Sequence, residues 1–159
     1  MLPIRTILHP TDFSDSARGA FELACALARD YSAGLVLVHV VPPPRVFAPD
    51  GIAVPIGAEE SYEPHARLAH LNPNDPTVKT DHRVLDGDPA DQILKAAKDV
   101  NADLIVMGTH GSGGLTRLLM GSVAESVMRK APCPVLTVRG QFHIPPAPVV
   151  GVAEPGQAS

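Results

Sequence analysis

The sequence predicts an α/β protein, a doubly wound layer built on a parallel sheet, and three observations carry that reading. Short apolar, β-branched runs alternate with longer segments of helical period, the order of βαβ units. One run, Leu35 to Val41 (LVLVHVV), is almost unbroken, as in a strand covered on both faces. The chain has 159 residues, 45% hydrophobic and 19% charged, which suits one globular domain with its own core.

Ile4 to His9, closed by Pro10, is the first strand. Ser14 or Ser16 can cap the first helix, whose apolar positions Ala17, Ala20, Phe21, Ala24, Leu27, Ala28 and Tyr31 recur at three- and four-residue steps until Gly34 ends it. Leu35 to Val41 is the second strand. Prolines and glycines exclude regular structure over most of Pro42 to Gly57, which is expected as an exposed loop. Ala58 to Leu71 holds a short second helix, mainly downstream of Pro64. Thr77 to Leu85 alternates Val78, Thr80, His82 and Val84 with Lys79, Asp81 and Arg83, the period of a strand at a sheet edge. Asp88-Pro89 starts the third helix with an N-cap and a proline at the first helical position; Ile93, Leu94, Ala97 and Val100 form its buried stripe and Asn101 ends it. Leu104 to Met107 is the fourth strand, Ser122 to Lys130 the fourth helix and Pro134 to Val138 the fifth strand. From Gly140 to Ser159 no periodic apolar face remains, so a mobile Pro/Gly/Ala-rich tail is expected.

Composition excludes several functions. The net charge is -4 and no basic block exceeds the pair Arg129-Lys130, so nucleic acid is not an expected partner. Cys25 and Cys133 have no metal-ligand spacing, and the seven histidines include no HxxxH or HxH pair. We therefore expect no protein-ligated metal, no disulfide framework and a reducing, cytoplasmic setting. The opening MLPIRTILHPTD lacks a secretory apolar core, and no apolar run approaches the roughly 20 residues of a spanning helix.

The stretch between the fourth strand and the fourth helix carries the chemistry. Gly108, two residues, Gly111, nine residues, Gly121 and then Ser122 punctuate a loop that ends at a helix start. Glycines let backbone amides approach a ligand, and a helix N-terminus adds unpaired N–H groups at the positive end of its dipole, so the place suits an anion, most often phosphate. It is neither GxxxxGK[ST] nor GxGxxG, since after Gly111-Ser112-Gly113 the third glycine position holds Thr116. In doubly wound sheets ligands sit beyond the carboxyl ends of the strands where strand order reverses, which would bring Thr11-Asp12 beside Gly108 to Gly111.

With this spacing the chain resembles the universal stress protein family, whose ATP-binding members carry G-x2-G-x9-G-[ST] between a strand and a helix. HPTDFS at His9 to Ser14, VHVV at Val38 to Val41, GDPA at Gly87 to Ala90, ADLIVMGTHG at Ala102 to Gly111 and GSVAESV at Gly121 to Val127 extend the resemblance in the family's order. It spans a domain of residues 1–139 and leaves 140–159 as the tail. The resemblance implies a five-stranded parallel sheet of order 3-2-1-4-5, Rossmann-like and akin to the adenine nucleotide alpha hydrolases. It also implies that Asp12, with Pro10 and Thr11, faces ribose or adenine and that Val40 meets adenine through its backbone. Met107, Gly108, His110 and Gly111 would line ribose and phosphates, and Gly121, Ser122 and Val123 would hold the phosphate chain. Asp12 could instead open an Asx turn, and Ser122 with Glu125 could form a capping box.

The implied function is ATP binding by a regulatory module of the stress response. A triphosphate on a chain already at -4 calls for Mg²⁺ or Mn²⁺ as counter-charge. The loop has no evident general base, phosphate-loop lysine or arginine clamp, so at most weak ATPase activity is expected. A nucleotide-independent dimeric interaction protein is the remaining class. Relatives commonly dimerise through the last strand, which predicts a homodimer through Pro134 to Val138.

Overall fold

The computed structural model describes residues 3–43, 63–109 and 120–140. Most of the proline-rich loop, the start proposed for the second helix, His110, Gly111 and nearly all of the C-terminal tail lie outside the described residues. The elements in order are β1 (Thr6–Pro10), α1 (Asp15–Tyr31), β2 (Gly34–Val41), α2 (Pro64–Ala69), β3 (Thr80–Asp86), α3 (Pro89–Asp99), β4 (Leu104–Gly108), α4 (Ser122–Lys130) and β5 (Val135–Val138). All strand pairs are parallel, and the order is β3-β2-β1-β4-β5. The chain moves outward from β1 to β3 and then returns past β1 to β4. Strand order therefore reverses between β1 and β4, where a crevice opens at the carboxyl ends.

Two apolar layers cover the sheet. Ala20, Ala24 and Ala28 of α1 and Leu68 of α2 pack on Ile7, Leu35, Leu37, Val106 and Val138. On the other face Ile93, Leu94 and Ala97 of α3 and Ala124 and Val127 of α4 pack on Leu8, Val36, Val38, Val40, Ile105 and Met107. Odd and even positions of β1, β2 and β4 thus serve opposite layers, which is why their sequences are almost continuously apolar, His9 and His39 being buried polar exceptions. Each fully buried aliphatic side chain contributes about 1.5–3 kcal/mol.

Helix α1 begins where the Ser14 side chain accepts from the Ala17 N–H, and it lies against the sheet on an alanine stripe. Small side chains allow close approach, and the tightest point is Gly108. A Cβ there would lie 2.5 Å from Ser16 Oγ and 2.9 Å from the Ser16 carbonyl carbon. Tyr31, expected in the stripe, is exposed instead. The helix ends not at Gly34 but at Ser32, which takes a left-handed φ of 54°, and Gly34 already belongs to β2.

Other ends also differ from the sequence expectation. Strand β1 starts at Thr6, where the Asp103 carboxylate accepts from the N–H groups of Arg5 and Thr6 at 2.8 and 2.9 Å. Strand β3 starts at Thr80 rather than Thr77, because Asp75 Oδ1 draws both N and Oγ1 of Thr77 into a turn. It is an edge strand, as its alternation predicted. Asp88 caps α3 by accepting from the Asp91 N–H, and Asn101, at φ 49°, follows its end.

Candidate functional site

Strand β1 stays paired with β2 as far as Pro10–Val38, whereas its register with β4 covers only Ile7–Leu104 and Leu8–Ile105. Proline has no N–H to continue the ladder. Beyond these ladders two buried histidines make the links, His9 from β1 to β4 and His39 from β2 to the loop after β1. His9 Nδ1 donates to the Val106 carbonyl and His39 Nδ1 donates to the Thr11 carbonyl, each at 2.8 Å. A carbonyl only accepts, so Nδ1 carries the proton in both rings.

Both histidines are held neutral. Burial pushes His9 down to about 4, against the opposing pull of its Val106 bond and of Asp12. Burial also lowers His39, the Thr11 bond opposes this, Arg67 adds to it, and Asp12 opposes it.

The β1–α1 loop sits directly above His39. Thr11 is buried; its N–H donates to the Val38 carbonyl and its Oγ1 accepts from the Phe13 N–H. Asp12 is exposed at the rim, and its Oδ1 accepts from the Ser14 N–H at 3.0 Å, which forms the Asx turn that was one reading of this residue. Phe13 takes φ 62°, an uncommon conformation for a bulky side chain. Its ring rests 4.7 Å from the His39 ring, and the Arg67 guanidinium lies 4.3 Å above the Phe13 centroid.

Across the crevice the two ends of the glycine loop meet. The Thr109 N–H donates to the Val138 carbonyl at 3.0 Å, and the Gly121 N–H donates to the Thr109 carbonyl at 2.7 Å. Gly121, not Ser122, is the N-cap of α4 and brings no side chain to cap it. Ser122 is the first helical residue and exposed, so the capping box does not form; Glu125 pairs instead with Arg129 at 2.7 Å. The first turn of α4 thus presents N–H groups without the side-chain acceptors that Ser14 and Asp88 supply to α1 and α3.

Pro10, Thr11, Asp12, Val40, Met107, Gly108, Gly121, Ser122 and Val123 all fall on or over the carboxyl edge of the sheet; His110 and Gly111 lie outside the described residues. Val40 and Met107 bury their side chains in the core, so only their backbones can serve a ligand. Sequence reasoning missed His9, Phe13, His39 and Arg67 as parts of this edge. The available signal was a polar residue inside each apolar strand run, which demands a buried partner.

Among the described residues no group of three His, Cys, Asp or Glu side chains could hold a metal ion. No described helix is long and apolar enough to cross a membrane. An open cleft of about 410 Å³ lies at the opposite edge, near Thr6, Gly34, Lys79 and Arg83. Arg83 is already paired with Asp81 there, and the helix end in its lining is the C-cap of α3 at Val100, the negative end of a dipole, so the carboxyl edge is the better candidate for an anion.

The sequence profile of the universal stress protein family matches residues 3–139, and the chain belongs to that family. A universal stress protein of Thermus aquaticus is 37% identical over 139 residues, covering 85% of this chain and 98% of that relative. The universal stress protein MJ0531 of Methanocaldococcus jannaschii is 37% identical over 140 residues, covering 85% and 82%. Among solved structures, UspA from Lactobacillus plantarum aligns with a TM-score of 0.69 at 25% identity, over 87% of this chain and 100% of that one. A universal stress protein in complex with cAMP aligns with a TM-score of 0.62 at 25% identity, over 87% and 98%.

Proposed function

We propose that this protein is an adenine-nucleotide-binding regulatory module that holds ATP, with Mg²⁺ or Mn²⁺, at the carboxyl edge of its sheet. The observation that carries the reading is the 2.7 Å bond from the Gly121 N–H to the Thr109 carbonyl, by which the uncapped start of α4 stands next to the end of β4. Backbone N–H groups at a helix start suit phosphate oxygens, and the solved relative in complex with cAMP supports an adenine ligand in this family. In this reading Gly121, Ser122 and Val123 hold the phosphate chain, Met107, Gly108, His110 and Gly111 line ribose and phosphates, and Pro10, Thr11, Asp12 and Val40 receive the nucleoside. A carboxylate at position 12 can accept from ribose hydroxyls, and its Asx turn leaves that role open.

The ligand acts by changing the surface the protein presents, in the cytoplasm and as a homodimer joined along β5. Residues 1–139 form the binding domain and 140–159 an appended tail. The loop sequence offers no evident general base, phosphate-loop lysine or arginine clamp, and in this reading hydrolysis is at most slow. Equilibrium titration of the purified protein with ATP and Mg²⁺ tests the reading, which expects saturable binding below millimolar ligand. Absence of binding at millimolar ligand would overturn it.

A further inference from the structure

We propose that His39 is a positioning residue of the nucleotide site, holding the Thr11 carbonyl and through it the Asp12 carboxylate; the proposal rests on the nucleotide reading above. Thr11 is fixed on three sides: its N–H to the Val38 carbonyl at 2.8 Å, its Oγ1 from the Phe13 N–H at 3.0 Å, and its carbonyl from His39 Nδ1 at 2.8 Å. The carbonyl of Thr11 belongs to the same peptide unit as the nitrogen of Asp12, so its orientation sets where the Asp12 side chain starts.

Position 39 also explains the choice of residue. It lies in β2 opposite Val84, on the face that carries Leu35 and Leu37, and every other residue of LVLVHVV is aliphatic. A histidine there is buried, 5% exposed, and is worth its desolvation only if its N–H has a fixed acceptor. The Phe13 ring at 4.7 Å and the Arg67 guanidinium over Phe13 at 4.3 Å complete a stack that fixes the plane of the imidazole. The left-handed Phe13 is tolerated because the same stack receives its ring. Ligand geometry at Asp12 is therefore set from beneath, by a residue that does not itself touch the nucleotide.

Titration with ATP and Mg²⁺ of the full chain and two variants, alongside thermal melting without ligand, tests this. His39→Leu removes the donor and should weaken ATP about tenfold, the effect of leaving one buried carbonyl unpaired. His39→Asn restores an N–H at the same distance from the backbone and should recover most of that loss, which a purely packing role for the ring would not allow. If His39→Leu does not fold, His39→Met, an unbranched side chain that also lacks a donor, takes its place. Unchanged affinity in the donor-less variant, or no recovery with asparagine, overturns the proposal. Failure of the unaltered protein to bind ATP fails the nucleotide reading itself, a distinct result.

Discussion

Gly108 shows how one residue can satisfy a motif for two physical reasons. In the sequence it opens a glycine spacing suited to phosphate; in the fold its missing Cβ is also what lets α1 lie on β4, since Ser16 backbone would otherwise be struck. Gly108→Ala should therefore lower stability by about 1–3 kcal/mol, as overpacking does, in urea unfolding without nucleotide. An unchanged midpoint would refute the close-approach account. His9 adds a pH dependence. Burial pushes its ring from the ordinary 6.5 down to about 4 in the fold, so the native chain binds fewer protons between those values. Its contribution is present above pH 6.5 and lost as pH falls toward 4, with a total of about 3 kcal/mol. Urea midpoints should fall over that window, and His9→Asn, which keeps the δ donor without a titrating group, should flatten the slope. Neither histidine bond was legible in the sequence, because each acceptor is a carbonyl distant along the chain, Val106 on β4 for His9 and Thr11 in the β1–α1 loop for His39.

Elements were legible where a period announced them and blurred where a tertiary contact set the boundary. The apolar runs of β2 and β4 and the Asp88-Pro89 start of α3 follow from local rules. The end of α1 does not, since Ser32 adopts the left-handed turn before the chain reaches the glycine. Helix α4 is the instructive case. The pattern Ser122 to Glu125 reads as a capping box, yet the Gly121 N–H is already given to Thr109, which shifts the cap by one residue and leaves the helix start bare. Gly121→Asp should supply the missing acceptor. We expect the ligand-free melting temperature to hold or rise slightly, by a few tenths of a kcal/mol in stability, while ATP binding is lost to charge repulsion. Retained ATP affinity in a folded Gly121→Asp protein would show that the start of α4 is not the phosphate site.

On the scale of the whole molecule, the sheet has two unlike edges. Strand β3 ends one side with charged residues on its exposed positions, Asp81 and Arg83 being paired. Strand β5 ends the other with Leu136 39% exposed and no charge between Val135 and Val138. Unpaired apolar edges invite a second strand, and a two-fold axis can provide it with the same strand of another copy. Light scattering should give a dimer mass, and Leu136→Lys should shift it toward the monomer; a monomeric wild-type protein would refute the assembly. The fold class was readable because strands alternating with helices leave few topologies, and the strand order came with the family resemblance, but which helix terminus stays uncapped is a long-range property.

The bond between Gly121 and Thr109 has one more consequence, for the thermodynamics of whatever the connection holds. Because the fold itself joins the two ends of the segment, a ligand bound there need not supply the entropy of closing a loop. Connections of other lengths could be exchanged between those two anchors with only a weak, logarithmic change in closure free energy, so this family could retune affinity or ligand choice in the loop while leaving the sheet beneath it alone.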